Sequence, residues 1–202
     1  MDANRTLVLA SASPRRRELL EQIGLTFQVR ALDIDESVLP NELPEHYVER
    51  LARAKASAGY AECPSSGTLV IGADTTVVCD GDILGKPADA DEAARMLRAL
   101  SGRSHKVMSA VALAGEHGCF ARLSVTEVRF RTLSAEEIHQ YCQSGEPFDK
   151  AGAYAIQGRA AIFVEGISGC YSTVVGLPLQ ATAELLQEAK MPVWHYWGGA
   201  DE

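Results

Sequence analysis

The feature that most constrains this chain is a pair of long strand-like runs near its centre. They are "HKVMSAVALAG" (residues 105–115) and "FARLSVTEVRFRTL" (120–133), and only a few residues separate them. A connection this short joins antiparallel strands, because parallel neighbours need a crossover of a dozen or more residues. The sequence therefore predicts a β-hairpin in the middle of the chain, across residues 115–118.

Short apolar runs alternate with helical segments on both sides of this hairpin. "TLVLA" (6–10) predicts a buried strand and "LTFQVRAL" (25–32) a second one. "TLVIGADTTVVCDGDILGKP" (68–87) predicts a strand, a break at Gly-Ala-Asp, more strand, and a turn at residues 80–81. Because a hairpin interrupts the alternation, we expect an α/β fold with a mixed β-sheet flanked by helices, and not a purely parallel sheet.

Helical periodicity and end signals predict the elements between the strands. The first helix is expected from Pro14 to about Ile23, with the hydroxyl of Ser13 capping its N-terminus and Gly24 stopping it. The next helix covers residues 44–61. Its expected buried stripe consists of Tyr47, Val48, Leu51, Ala54 and Ala58. Further helices are predicted within residues 89–102, within residues 134–145, where a capping box begins, and at the end of 171–190.

Composition limits the classes of protein to which the chain can belong. Its 202 residues are 47% apolar, enough for one sizeable core, so we expect a single domain over 1–190 and a loosely attached tail over 191–202. A net charge of -8 without a basic tract argues against nucleic-acid binding. We find no secretory signal and no membrane-spanning segment. Five scattered cysteines without a CxxC pair predict free thiols in a reducing cytoplasm.

Three arginines in "SASPRRRELL" stand at the start of the first helix, where they oppose the helix dipole. This placement costs about 0.3–1 kcal/mol for each exposed cation. Free backbone N–H groups, the hydroxyls of Ser11 and Ser13, and the forks of Arg15 and Arg16 together form an anion site. The alternative is a solvated face on which the arginines pair with nearby glutamates. Arg17 is expected at the surface.

Carboxylates supply a second set of candidates. Asp74, in "GADTTVV", could hold a divalent cation or act as a general base. The alternative is an aspartate in a turn, bonded to nearby backbone. Asp33, Asp35 and Glu36 lie in an acidic loop after the first helix, for which a solvated loop is the simpler interpretation.

Two lysines and one glutamine complete the candidates. Lys55 and Lys86 could place point charges on phosphates, although an isolated lysine usually faces solvent. Gln157 lies in the glycine-containing stretch "FDKAGAYAIQG". Its amide offers a donor and an acceptor that could bond the edge of a base. Alternatively, the same amide ties down loop backbone.

The motifs "SASPRR", "GADT", "LGKP", "DKAGAYAIQG" and "VVGLPL" together resemble the Maf family of nucleoside triphosphate pyrophosphatases, in the family's order from Leu7 to about Leu186. "AYAIQG" is similar to the branch that acts on dTTP and UTP. The resemblance implies a fold of the Maf and ITPase-like type, with two lobes and a central cleft. It also implies a hydrolase that releases a nucleoside monophosphate and pyrophosphate and requires a divalent metal, Mg²⁺ or Mn²⁺. Members are often homodimers.

Roles for individual residues follow from this resemblance. Asp74 matches the proton acceptor, and Arg15, Thr75 and Gln157 match positions that set substrate specificity. Glu36 and Asp74 are the candidate metal contacts. The positions that match polar residues lining the pocket are Ser11, Ser13, Arg16, Glu36, Lys55 and Lys86.

Two departures from the family pattern are visible. Ala12 stands where glycine is common, and Gly85 replaces a larger residue of some relatives, which leaves more room near Lys86.

Two other functions stay open. One alternative function is a non-catalytic nucleotide-binding regulator, because the family has an association with septum formation. The other is a house-cleaning enzyme for modified nucleotides.

Overall fold

The computed structural model describes residues 5–197 of the chain, and they form the mixed α/β fold expected. Strands and helices alternate up to a central hairpin, and helices and one further strand follow it. Within the described residues the strands are β1 (Thr6–Leu9), β2 (Gln28–Val29), β3 (Thr68–Cys79), β4 (Asp82–Leu84), β5 (Ser104–Gly115), β6 (Gly118–Phe130) and β7 (Val164–Ser168).

The sheet contains both parallel and antiparallel pairs. Its strand order is β2-β1-β3-β5-β6-β7, with β4 paired to β3. β1 lies parallel to β2 and β3, whereas β4 is antiparallel to β3 and β7 antiparallel to β6. The predicted turn joins β3 and β4 at Asp80 and Gly81, both with positive φ. The predicted central hairpin is confirmed by the adjacent strands β5 and β6.

Helices occupy the predicted segments, and one further short helix, α5 (Tyr171–Val175), lies where a loop is predicted. Over residues 5–197 the α-helices are α1 (Pro14–Gln22), α2 (Pro44–Glu62), α3 (Ala90–Leu100), α4 (Ala135–Gln143), α5 (Tyr171–Val175) and α6 (Leu179–Glu188). The capping box of α4 is present, with Ser134 and Glu137 bonding each other's backbone N–H groups. Short 3₁₀ helices cover Glu146–Asp149, Ala151–Ala153, Arg159–Phe163 and Val193–Tyr196.

The chain divides into two compact units, each built from several segments. The described part of unit 1 comprises residues 5–74, 109–124 and 176–197, and unit 2 comprises 75–108 and 125–175. The core of unit 2 contains the buried apolar face of α3 and an aromatic group around Phe130. In unit 1, buried side chains of β1, α1, α2 and β3 form the core, among them Leu9, Leu20, Leu51 and Ile71.

The buried face of α2 is rotated relative to the predicted stripe. Val48 and Leu51 are fully buried as expected, but Ala54 and Ala58 are only half-buried. The residues that complete the buried face are Ala52, Lys55, Ala56 and Gly59. Lys55 can lie within this face because its ammonium group forms ion pairs with carboxylates from elsewhere in unit 1. The apolar pattern of a helix does not predict such partners.

Two strand predictions need correction. The expected break at Gly-Ala-Asp is wrong, because β3 runs without interruption from Thr68 to Cys79. The strand predicted for "LTFQVRAL" shrinks to Gln28–Val29. Its partner β1 ends at Leu9. The last hydrogen bond of the pair is therefore the one from the backbone N–H of Arg30 to Leu9 O, at 2.9 Å.

The expectation of a loosely attached tail is wrong for residues 191–197. Met191 and Val193 are 4% and 3% exposed, so both are part of the core of unit 1. The indole Nε1 of Trp197 donates to Ile23 O at 2.8 Å, just beyond the end of α1. Residues 198–202 of the predicted tail lie outside the described part of the chain.

Candidate active site

The site in unit 1 begins with an unusually close contact between helix α2 and strand β3. A Cβ atom added to Gly72 would lie less than 3.0 Å from Ala52 O and from Ala56 N, both in the backbone of α2. Only glycine permits this approach. Gly72 therefore marks a close contact and not a break in the strand, and it brings Lys55 of α2 near Asp74 of β3.

Lys55 joins two carboxylates through its ammonium group. Its Nζ lies 2.7 Å from Asp74 Oδ1 and 2.6 Å from Glu36 Oε1. Lys55 and Asp74 are 8% and 7% exposed, so this ion pair is buried, whereas the side chain of Glu36 is 43% exposed. The solvent-facing alternative is therefore wrong for Lys55. Glu36 is exposed, as the solvated loop predicts, and at the same time it pairs with Lys55. Asp33 and Asp35 are exposed, as a solvated loop predicts.

The pKa of Asp74 is raised above its ordinary value. Burial is the largest cause, and the charges of Lys55 and Arg16 oppose it, while Glu36 adds to it. A carboxylate whose pKa moves upward becomes a stronger base when it is ionised, which suits proton abstraction near neutral pH. Perturbation of this kind, combined with specific charged partners, is typical of functional sites.

Side chains of α2 hold the loop that carries Glu36. Tyr47 donates from its hydroxyl to Glu36 O at 3.0 Å, and Arg50 donates to Ser37 O at 2.9 Å. Arg50 also forms a two-pronged ion pair with Glu42 at 2.6 and 2.7 Å. Sequence reasoning missed Tyr47 and Arg50, although Tyr47 precedes Lys55 by two helical turns and so faces the same side of α2.

Burial, then the charges of Asp74 and Glu36, raise the pKa of the Tyr47 hydroxyl to about 12. Tyr47 therefore stays protonated at neutral pH and keeps its donor for the Glu36 carbonyl.

The start of α1 supplies the cations. Ser13 is the N-cap residue, but its hydroxyl makes no capping bond, so the predicted cap is wrong in this respect. Instead, Ser11 Oγ accepts from the backbone N–H of Ser13 at 3.2 Å and from the Arg16 guanidinium at 3.1 Å. Arg16 also donates to Gly176 O at 2.9 Å. These bonds fix the loop between β1 and α1.

Arg15 and Arg16 are half-buried, whereas Arg17 is exposed, as expected. Burial lowers the pKa of Arg16, and attraction to Asp74 opposes this effect. Because the first N–H groups of a helix have no partners within it, the backbone of α1 adds donors beside these two cations. The structure thus brings Ser11 and Arg16 together at the start of α1, and the anion site stays a prediction.

Unit 2 carries the remaining candidates. Thr75 follows Asp74 in β3 and is half-buried, and Lys86 lies exposed just beyond β4. Gln157 is exposed in a turn between two 3₁₀ helices. The segments of Lys86 and Gln157 are linked, because the backbone N–H of Gly152 donates to Gly85 O at 3.1 Å.

A divalent metal ion can be tested against these donors. Among residues 5–197, no cluster of three or more His, Cys, Asp or Glu side chains has the geometry of a metal site. Glu36 and Asp74, however, place two carboxylates around one cationic group, the Lys55 ammonium. Mg²⁺ is usually held by one or two carboxylates together with substrate phosphates and water. Glu36 and Asp74 are therefore the oxygen donors that a divalent metal would use here, and the metal itself stays a prediction.

Relatives of the chain carry one recurring name. A dTTP/UTP pyrophosphatase from Hahella chejuensis is 53% identical over 191 residues, covering 94% of this chain and 95% of the relative. One from Shewanella oneidensis is 56% identical over 189 residues, covering 91% and 97%. The solved structure of the Staphylococcus aureus Ham1 protein shares the fold, with 14% identity, a TM-score of 0.52, and coverage of 92% of this chain and 98% of that one.

Two further observations bear on the class of protein. No helix among the described residues combines the length and the apolar character that crossing a bilayer would need. All five cysteines are free thiols. A family model described as "Maf-like protein" matches residues 6–189, and we conclude that the chain belongs to the Maf-like protein family.

Proposed function

We propose that this protein is a nucleoside triphosphate pyrophosphatase that hydrolyses dTTP and UTP to the monophosphate and pyrophosphate. The observation that carries this proposal is the buried Lys55–Asp74 ion pair, which lies beside Glu36 and interacts electrostatically with Arg16. A carboxylate beside cations suits hydrolysis of a phosphoanhydride bond, because it can accept a proton from the attacking water while the cations bind phosphate oxygens. The names of relatives more than 50% identical support the same substrates.

In this proposal the residues of unit 1 handle the phosphate chain. Arg15, Arg16 and the first N–H groups of α1 bind phosphate oxygens, and the hydroxyls of Ser11 and Ser13 add donors. Ser11 Oγ already accepts two hydrogen bonds, so its O–H proton is the part that faces a phosphate. Neutralising the charge that develops on the leaving pyrophosphate is the main catalytic contribution of such cations.

Asp74 is the proposed general base that orients and deprotonates the attacking water. The Lys55 ammonium holds the Asp74 carboxylate at 2.7 Å and the Glu36 carboxylate at 2.6 Å, so the two carboxylates lie close together. A bound Mg²⁺ or Mn²⁺, held by Glu36 and Asp74, would supply further charge neutralisation for the triphosphate. Lys86 stays a predicted phosphate contact.

Base recognition is assigned to unit 2. The amide of Gln157 is exposed and can bond the imide edge of thymine or uracil, which offers an acceptor and a donor side by side. Thr75 and Arg15 stay predicted specificity positions. Recognition of this kind rejects bases that leave the amide unpaired.

The test is a pyrophosphate-release assay over dTTP, UTP, CTP, dATP and GTP, with Mg²⁺, with Mn²⁺ and with a chelator. We expect dTTP and UTP to be preferred and the chelator to abolish turnover. Asp74→Asn should lower kcat about 10²–10⁴-fold because the base is lost. The matched control is Asp91→Asn, since Asp91 is exposed in the first turn of α3.

Three outcomes contradict parts of this proposal. Wild-type turnover by Asp74→Asn would rule out its role as base, and equal kcat/KM for GTP and UTP would rule out base recognition. Tight nucleotide binding without pyrophosphate release would identify a non-catalytic nucleotide-binding regulator instead. A modified pyrimidine triphosphate with a higher kcat/KM than UTP would identify a house-cleaning enzyme.

A cytoplasmic location is supported by the free cysteines, which a reducing compartment maintains. A homodimer is a prediction that light scattering on the purified protein checks.

A further inference from the structure

A chain of hydrogen bonds brackets Gln157 from both sides. The backbone N–H of Ala155 donates to the Tyr141 hydroxyl at 3.3 Å, and this hydroxyl donates to Glu146 Oε1 at 2.9 Å. Glu146 Oε2 then accepts from the backbone N–H of Arg159 at 3.1 Å. The two backbone anchors lie two residues before and two residues after Gln157, and all members of the chain belong to unit 2.

The bracketed segment is a tight turn. The backbone N–H of Gly158 donates to Ala155 O at 3.0 Å, which places Gln157 at the third position of a four-residue turn. A Cβ atom added to Gly158 would lie less than 3.0 Å from the carboxylate atoms of Glu146. The carboxylate therefore packs directly against the turn, while Gln157 itself is exposed.

Glu146 has more than one partner in this arrangement. Besides Tyr141 and Arg159, the backbone N–H of Ala160 approaches Oε1 at 3.5 Å, at the start of the 3₁₀ helix Arg159–Phe163. Bonds to an ionised carboxylate are stronger than neutral ones. Burial, and then the bond to Glu146, raise the pKa of Tyr141, so its hydroxyl remains a donor to the carboxylate.

We propose that Glu146, acting through the turn that it anchors together with Tyr141, is a positioning residue that fixes the amide of Gln157 for pyrimidine recognition. This inference rests on the proposed function. Recognition of an imide edge needs a donor and an acceptor at fixed positions, and an amide on a loose turn would have to be ordered each time a substrate binds. A turn that is anchored on both sides removes this requirement.

The test compares variants of Glu146 in kinetics with UTP and GTP. Glu146→Ala should raise KM for UTP about tenfold, which corresponds to one hydrogen bond, with kcat within about twofold of wild type. The ratio of kcat/KM for UTP over GTP should fall with it. Glu146→Gln keeps one acceptor oxygen and should restore most of this ratio.

The matched control is Glu165→Gln. Glu165 also lies in unit 2, and its ion pair with Arg129 at 2.7 Å is exposed. We expect wild-type KM and selectivity for this variant. If melting curves show that Glu146→Ala does not fold, Tyr141→Phe provides the test, because it keeps the ring and the carboxylate but breaks the link to Ala155.

A double-mutant cycle with Gln157→Ala separates this inference from the proposed function. If Glu146 acts through Gln157, the double variant should be no less selective than Gln157→Ala alone. Fully additive losses of selectivity would overturn the positioning role. A selectivity ratio that Gln157→Ala lowers and Glu146→Ala does not would overturn it too. If Gln157→Ala leaves the ratio unchanged, base recognition by Gln157 fails first, and the inference falls with it.

Discussion

Replacing Gly72 with alanine tests whether the contact between α2 and β3 builds the site. The added Cβ would lie less than 3.0 Å from two backbone atoms of α2 and 3.0 Å from Ala56 Cα. Carbon atoms pack without strain at about 3.5–4.0 Å, so α2 has to move away from β3 by about 1 Å. Overpacking of this kind costs about 1–3 kcal/mol of the free energy of unfolding.

This movement has a predictable effect on activity, because α2 carries Lys55 and β3 carries Asp74. A displacement of about 1 Å between catalytic groups can lower the rate about 100-fold. We therefore expect Gly72→Ala to fold, but to release pyrophosphate about 100-fold more slowly than the wild type. For a chain of this size, each kcal/mol lowers Tm by about 2–4 °C, so Tm should fall by roughly 2–12 °C.

The assay combines thermal denaturation with pyrophosphate release from UTP. The control is Gly166→Ala in β7, where an added Cβ meets no atom within 4 Å, and we expect wild-type Tm and activity. If Gly72→Ala melted with the wild type and kept full turnover, the argument from the close contact would be refuted. A stable but inactive variant would support it most directly.

Two further predictions concern protonation. Lys55→Met removes the attraction that lowers the pKa of Asp74, while burial still raises this pKa. The acid limb of the kcat/KM profile should therefore move to higher pH, and an unmoved limb would argue against Asp74 as the base. His105 is buried in β5, and burial lowers its pKa to about 4. Between pH 6.5 and 4 only the unfolded chain therefore binds a proton at this histidine, so the free energy of unfolding, measured by urea titration, should decrease by roughly 3 kcal/mol as the pH is lowered over this range. His105→Phe should flatten this decline, whereas an equally steep decline in the variant would contradict the prediction.

Periodicity predicted most of the fold, because the apolar patterns of β1, α3 and the central hairpin reflect burial along single elements. It failed where two elements meet. A glycine in a strand has the same appearance in sequence whether it breaks the strand or admits a helix, and only the position of α2 shows that Gly72 does the second. For the same reason β2 was predicted too long, since its length depends on where β1 ends.

The site followed the same division. Arg16 could be proposed from its local motif, because serine hydroxyls, arginines and a helix start are adjacent in sequence. Asp74 could be proposed because it follows small residues at the end of an apolar run. The burial of Lys55 could not, since its two carboxylate partners lie 19 residues in either direction along the chain. A lysine is ordinarily solvated, and only the convergence of Glu36 and Asp74 makes its burial favourable.

The division of the chain among its two units also bears on how the protein is made. Unit 1 needs residues 5–74, 109–124 and 176–197, so its last segment leaves the ribosome after the whole of unit 2. Domains on a growing chain commonly fold from the N-terminus onward. Here unit 2 has all of its residues first, and the part of β3 that ends at Asp74 must wait for α6 before unit 1 is complete.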